Sequence, residues 1–134
     1  MDRDRLRAYR AILQEINQLE ELKRDVEERA TLPKIPQLTG LPGAPSAEHD
    51  KIGALVARTA DLTAHYAELI AALHEEQIAI EEAVDRLRGY ERIVIRYRYL
   101  QGKSWREIMT LVPYCYTRLQ QIHRHALERL DGMG

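Results

Sequence analysis

The sequence predicts an all-α protein. A long antiparallel helical hairpin of coiled-coil character is expected first, then a C-terminal three-helix helix-turn-helix module. Three observations carry this reading. Apolar residues recur at spacings of three and four over residues 6–30 and 50–88. Four of the five prolines lie together between those stretches. Residues 104–130, SWREIMTLVPYCYTRLQQIHRHALERL, read as a helix, a tight turn and a second helix.

Residues 6–30 are expected to form an amphipathic helix, because Tyr9, Ile12, Ile16, Leu19, Leu22 and Val26 step by three or four. Thr31 to Ala47 holds Pro33, Pro36, Pro42, Pro45 and two glycines, and reads as a partly extended linker. Its Leu32, Ile35, Leu38 and Leu41 suggest that it lies along a helix. Residues 50–88 read as one long helix. Ile52, Leu55, Thr59, Leu62, Tyr66, Leu69, Leu73, Glu76, Ile80, Ala83 and Leu87 form a heptad seam with a flaw at Glu76. A helix cannot bury such a seam alone, so the first helix is its expected partner. A second copy of the chain is the candidate cover for what the shorter helix leaves open.

Gly89 breaks the run and divides the chain into segments 1–88 and 89–134. Residues 90–101, YERIVIRYRYLQ, fit a strand by their Ile-Val-Ile and alternating arginines. They also fit a helix, with Ile93, Tyr97 and Leu100 on one face. The helix is preferred, since no partner strand exists and a lone strand leaves its backbone unpaired. Gly102 then ends it. Ser104 and Glu107 form a capping box that opens the next helix, to which Ile108, Leu111 and Val112 give an apolar side. Pro113 stops that helix. The chain restarts near Cys115 or Tyr116, and Leu119, Ile122, Ala126 and Leu130 mark the buried face of the last helix.

Composition excludes several classes. The chain has 134 residues and no phenylalanine, which suits long solvated helices better than a thick core. No apolar run is long enough for a transmembrane helix, and the charged start MDRDRLRAYR lacks the apolar region of a signal peptide. The single cysteine fits a reducing cytoplasm and excludes an internal disulfide. Charge is segregated. Residues 48–88 carry four Lys/Arg against nine Asp/Glu, net −5; residues 89–134 carry eight against four, net +4. The C-terminal module is therefore the part that attracts phosphate.

The face of the last helix opposite its apolar stripe shows Thr117, Arg118, Gln120, Gln121 and Arg124, with Tyr116 at its start. Arginine pairs bidentately with guanine and glutamine with adenine in the major groove, so these six are the candidate base readers. Tyr116 is also suited to a phosphate or a thymine methyl. Arg92, Arg96, Arg98, Lys103 and Arg106 flank the reader and are the candidate phosphate contacts. Trp105 is expected to pack against the Tyr97 or Leu100 side, and Tyr114 to wedge between helices.

Catalytic and metal chemistry find little footing. His123 and His125 are two apart on a helix and point away from each other, which argues against a metal pair. His123 is expected to be half-buried and hydrogen-bonded, His125 exposed. His74-Glu75-Glu76 lacks the second histidine of a zinc-protease helix. Glu75, Glu76, Glu81, Glu82 and Asp85 lack the accompanying E-x-x-H of a carboxylate metal site and read as a solvated or partner-facing acidic face. Cys115 is a nucleophile only with a base placed beside it, and between two tyrosines in the turn it is expected to be packed. No enzyme activity, cofactor or metal is expected.

RYRYLQGKSWREIMTLVPYCYTRLQQIHRHALERL resembles region 4 of sigma factors: a basic aromatic helix, a Gly-containing turn, E-I-x-x-x-[LV], then a helix ending in A-L-x-x-L. The whole chain is similar to a group of small bacteriophage and prophage proteins with a sigma-region-4-like C-terminus, including ArpU-like regulators of late transcription. In that group a helical segment and a Pro/Gly-rich linker precede the motif, and an I-H-x-x-A-L run, here Ile122 to Leu127, is common. Met109, Pro113 and Cys115 depart from the Ala, Gly and Ser or Thr usual in the sigma pattern. Met109 is expected to need a wider gap between the two helices, and Cys115 is a poorer N-cap than serine.

The resemblance implies a phage-type transcriptional regulator in the cytoplasm of a bacterial host cell. It implies double-stranded DNA as partner, contact with bacterial RNA polymerase, and a helical hairpin used for homodimerisation or partner contact. A protein-interaction adaptor that reads no DNA is the alternative.

Overall fold

A computed structural model of the chain describes residues 1–31 and 46–133. Among these residues the protein is all-α, with no strand. The helices are α1 (Arg3–Thr31), α2 (Ser46–Asp85), α3 (Gly89–Ile95), α4 (Trp105–Leu111) and α5 (Tyr116–Gly132), with a π-helical turn over Arg96–Leu100 directly after α3. No helix among the described residues is long and apolar enough to cross a membrane. Leu32, Ile35, Leu38 and Leu41, expected to lie along a helix, fall outside the described residues.

The chain forms two compact units, and the join at Gly89 lies inside one of them. That unit gathers Met1–Glu15 with Leu73–Gly134; the other is Ile16–Ala72. In the first unit the opening turns of α1 bury Leu6, Tyr9 and Ile12. The closing turns of α2 bury Ile80, Ala83 and Val84, and Leu87 just beyond is also buried. The flaw in the heptad seam has a partner here: Arg5 holds Glu76 through two hydrogen bonds, of 2.7 and 3.1 Å. Tyr9 donates its hydroxyl to Glu81 at 2.8 Å. Burial and that carboxylate push the phenol up to about 12. The Met1 ammonium donates to the Leu130 carbonyl on α5.

In the second unit α1 buries Ile16, Leu19 and Val26 at the expected spacing. The seam of α2 does not follow the expectation over its first half. Ile52 and Leu55 are about 60 % exposed, and Leu62 and Leu69 39 %. The seam is buried only from Ile80 onward, where α3, α5 and the start of α1 share its unit.

Residues 90–101 are helical but change pitch. The Gln101 N–H donates to Arg96 O at 2.9 Å, five residues back, and the Lys103 N–H to Tyr97 O at 2.8 Å. This wider ladder adds a residue to the turn, so Arg96–Leu100 are not spaced as a regular helix would space them. Gly102 follows at φ +70, the left-handed conformation that glycine adopts without strain.

The core of the C-terminal helices α3, α4 and α5 is a cluster of Val94, Ile108, Val112, Leu119 and Ile122, against which Ile93, Tyr97, Trp105 and Tyr114 pack. Each aliphatic side chain taken fully out of water there stabilises the fold by about 1.5–3 kcal/mol. Two expectations for α4 need correction. Leu111 does not join its apolar side but is 50 % exposed. Met109 is also exposed and widens no gap, because it lies on the outer side of α4 while Ile108 and Val112 face inward.

Candidate nucleic-acid interface

The interface is built from the turn between α4 and α5. Ser104 caps α4: its Oγ accepts from the Glu107 N–H at 3.1 Å, and Glu107 Oε1 accepts from the Ser104 N–H at 3.3 Å. These bonds hold the Glu107 carboxyl below the usual carboxylate range. Val112 ends α4 in an extended conformation, φ −127 and ψ 154, the geometry a residue before proline prefers. Cys115 precedes α5, also extended, with no side-chain cap bond. The turn is thus made from extended residues at Val112 and Cys115, and the left-handed glycine of the sigma pattern is not needed. Tyr114 packs edge-on against Tyr90, with ring centroids 5.0 Å apart, which fixes the turn against α3.

Helix α5 buries Leu119, Ile122, Ala126, Leu127 and Leu130. Tyr116, Thr117, Arg118, Gln121 and Arg124 are exposed. Arg118 Nη1 donates to Gln121 Oε1 at 3.1 Å. Gln121 must release that bond to present both ends of its amide to an adenine. Gln120 stands apart from the other candidate readers. It is half-buried, and its Nε2 is buried without a hydrogen-bond partner among the described residues. The exposed candidate readers are therefore Thr117, Arg118, Gln121 and Arg124, with Tyr116 at their edge.

The five candidate phosphate contacts do not form one row. Arg106 is exposed, with no ion pair among the described residues. Arg96 is bound to Asp85 of α2 at 2.5 Å. Arg92 reaches the Asp85 carbonyl at 3.4 Å, and its Nε is buried and unpartnered among the described residues. Lys103 leans over the Tyr97 ring, 5.9 Å from its centroid. Arg98 donates to the Lys103 carbonyl at 3.1 Å and lies over the Trp105 ring at 5.0 Å.

His123 is half-buried, within 2.7 Å of the Tyr99 hydroxyl and stacked on its ring. Trp105 meets it edge-on at 4.9 Å. Burial, followed by the charges of Arg3, Arg98 and Arg7, pushes His123 down to about 4, so its imidazole is neutral near pH 7. His125 is exposed and 4.0 Å from Glu128.

Two contributors were not foreseen from sequence: Arg7 and Arg10 of α1 line a cleft with Arg98, Tyr99, Trp105 and His123. The available signal was the spacing of Arg3, Arg7 and Arg10, four and three apart, which puts them on one side of α1. The chain matches no protein-family model, no curated protein and no solved structure.

Proposed function

We propose that the chain is a phage-type transcriptional regulator that binds double-stranded DNA through α5. The observation that carries this is the exposed row of Thr117, Arg118, Gln121 and Arg124, on a helix whose other side is fixed in the core. Such a helix can enter a major groove without disturbing its own packing. Arg106, unpaired among the described residues, is the best-placed phosphate contact. The sigma-region-4-like motif of residues 96–130 supports the same reading, with RNA polymerase as a second partner in a bacterial cytoplasm. The exposed apolar residues Ile52, Leu55, Leu62 and Leu69 of α2 offer a surface for a second copy.

The test is binding to selected and scrambled duplexes at two salt concentrations. Each phosphate neutralised adds about −0.9 to the slope of log affinity against log salt. An affinity that does not change with salt refutes DNA binding.

One observation favours the alternative of an adaptor that grips protein. Asp85 already neutralises Arg96, so one of the flanking cations is engaged inside the fold. A chain that captures RNA polymerase at unchanged strength with its α5 arginines replaced, and shows no duplex binding, would be such an adaptor.

A further inference from the structure

The cleft between α1, the π-helical turn, α4 and α5 measures about 400 Å3, within the size range of small-molecule sites. Its six lining residues are Arg7, Arg10, Arg98, Tyr99, Trp105 and His123. All belong to one compact unit. The three arginines have no ion pair among the described residues, whereas Arg5, Arg96 and Arg129 each hold a carboxylate. Three guanidinium charges therefore meet in one cleft without a counter-charge. A guanidinium cannot shed its proton to relieve this.

Two of the three are held in place. Arg10 donates to the Leu100 carbonyl at 3.2 Å and lies across Gly102, where a Cβ would come within 2.6–2.9 Å of its side chain. Arg98 is fixed by the Lys103 carbonyl and the Trp105 face. Arg7 is exposed and completes the set. Beside them, Tyr99 stacks on His123 and hydrogen-bonds to it, and Trp105 meets His123 edge-on while Arg98 lies over the Trp105 ring. Neutral His123 adds no fourth positive charge near pH 7.

We propose that this cleft binds a nucleoside phosphate, with the phosphate held by Arg7, Arg10 and Arg98 and the base packed against the Tyr99–Trp105–His123 cluster on the side that Arg98 leaves open. Guanidinium groups pair bidentately with phosphate oxygens, and aromatic side chains accept any base through its flat face. A bare anion would use only the arginines, and a bare base only the aromatic cluster. The site does not depend on α5 reading DNA, since none of its residues belongs to the exposed reading row.

Trp105 is the only tryptophan, so the protein's own fluorescence reports on this cleft. The full chain is titrated at constant ionic strength with a nucleoside monophosphate, the matching nucleoside, inorganic phosphate and a glutamate-rich peptide. Calorimetry runs alongside. The monophosphate is expected to give a saturable change. The nucleoside, inorganic phosphate and the Arg7→Gln variant are each expected to bind roughly tenfold or more weakly, the scale of a lost charge-assisted contact. Arg7 carries no hydrogen bond among the described residues, so circular dichroism of Arg7→Gln should match the parent.

A 5′-phosphorylated single strand that displaces the mononucleotide assigns the site to a strand end. Failure to displace it assigns the site to free nucleotides, and either result supports the proposal. The proposal is overturned by no saturable signal in either method, by equal binding of nucleoside and monophosphate, by unchanged binding in Arg7→Gln, or by a peptide that binds as tightly as the nucleotide.

Discussion

Acidification should loosen the C-terminal module through one side chain, His123. In the fold its titration is pushed from 6.5 to about 4, first by burial and then by Arg3, Arg98 and Arg7. In the unfolded chain the ring is hydrated and distant from those arginines. Between pH 6.5 and about 4 the unfolded state therefore takes up a proton that the folded state resists. Stability is fully present above the unfolded value and is lost as pH falls through the folded one. At 1.36 kcal/mol per pH unit the full span is worth at most about 3–4 kcal/mol. The ring is only half-buried, and water screens the arginines, which brings the expected loss to about 1–2 kcal/mol. Chemical denaturation of the parent and of His123→Asn across this pH window isolates the contribution, because the carboxylates that also titrate there are common to both. The parent should lose about 1–2 kcal/mol more than the variant. Proton NMR of the imidazole gives the direct reading. A His123 that titrates near its ordinary value, together with parallel stability curves for the two proteins, would refute the reasoning.

Four further outcomes are expected. Ser104→Ala should cost about 1 kcal/mol by removing the cap of α4, read by thermal or urea unfolding. Gly102→Ala should destabilise by more than about 1 kcal/mol, because its φ of +70 is strained for alanine and the new methyl meets Arg10; Arg10→Ala in the same chain should relieve only the second part. Arg106→Ala should reduce the salt slope of duplex binding by about one unit, and Arg96→Ala by less because Asp85 already holds that side chain, as seen in a salt titration of both variants. Arg118→Ala or Gln121→Ala should relax preference at one base position at a cost of about 1–3 kcal/mol, whereas Gln120→Ala should leave specificity unchanged; equal effects of all three in a selection of bound sequences would dissolve the reading row.

The parts of this fold legible in sequence were those governed by spacing within one element. The capping box, the stop before Pro113, the start of α5 and its stripe of Leu119, Ile122, Ala126 and Leu130 all follow from local rules, and each is present. The α2 seam failed as a guide over Ile52 to Leu69, because periodicity records a capacity for burial and not the presence of a cover. Leu111 misled for a related reason: a seven-residue helix has too few turns for its apolar face to be identified by spacing. The π-helical turn had no local signature, since the extra residue is set by where Gln101 and Lys103 find carbonyls. The spacing of Arg7 and Arg10 puts them on one side of α1, but not beside Arg98. Their meeting with Arg98 spans about ninety residues, as the Arg10–Leu100 bond shows, and a single sequence holds no trace of such a pairing.

The unit that carries α5 also contains the first turns of α1, and the Met1 ammonium bonds to a carbonyl 129 residues away. This arrangement orders events during synthesis. When α1 leaves the ribosome, the surfaces that cover Leu6 and Tyr9 have not yet been made. Those turns wait, with their apolar side in water, at least until the end of α2 emerges with Glu76 and Glu81. Helices α3, α4 and α5 can collapse early on their own short-range contacts around Ile108 and Leu119. Closure of the unit by α1 is then the slower step, because it draws together segments about ninety residues apart. The cleft that holds Arg7, Arg10 and Arg98 comes into being only when α1 meets the turn at Leu100.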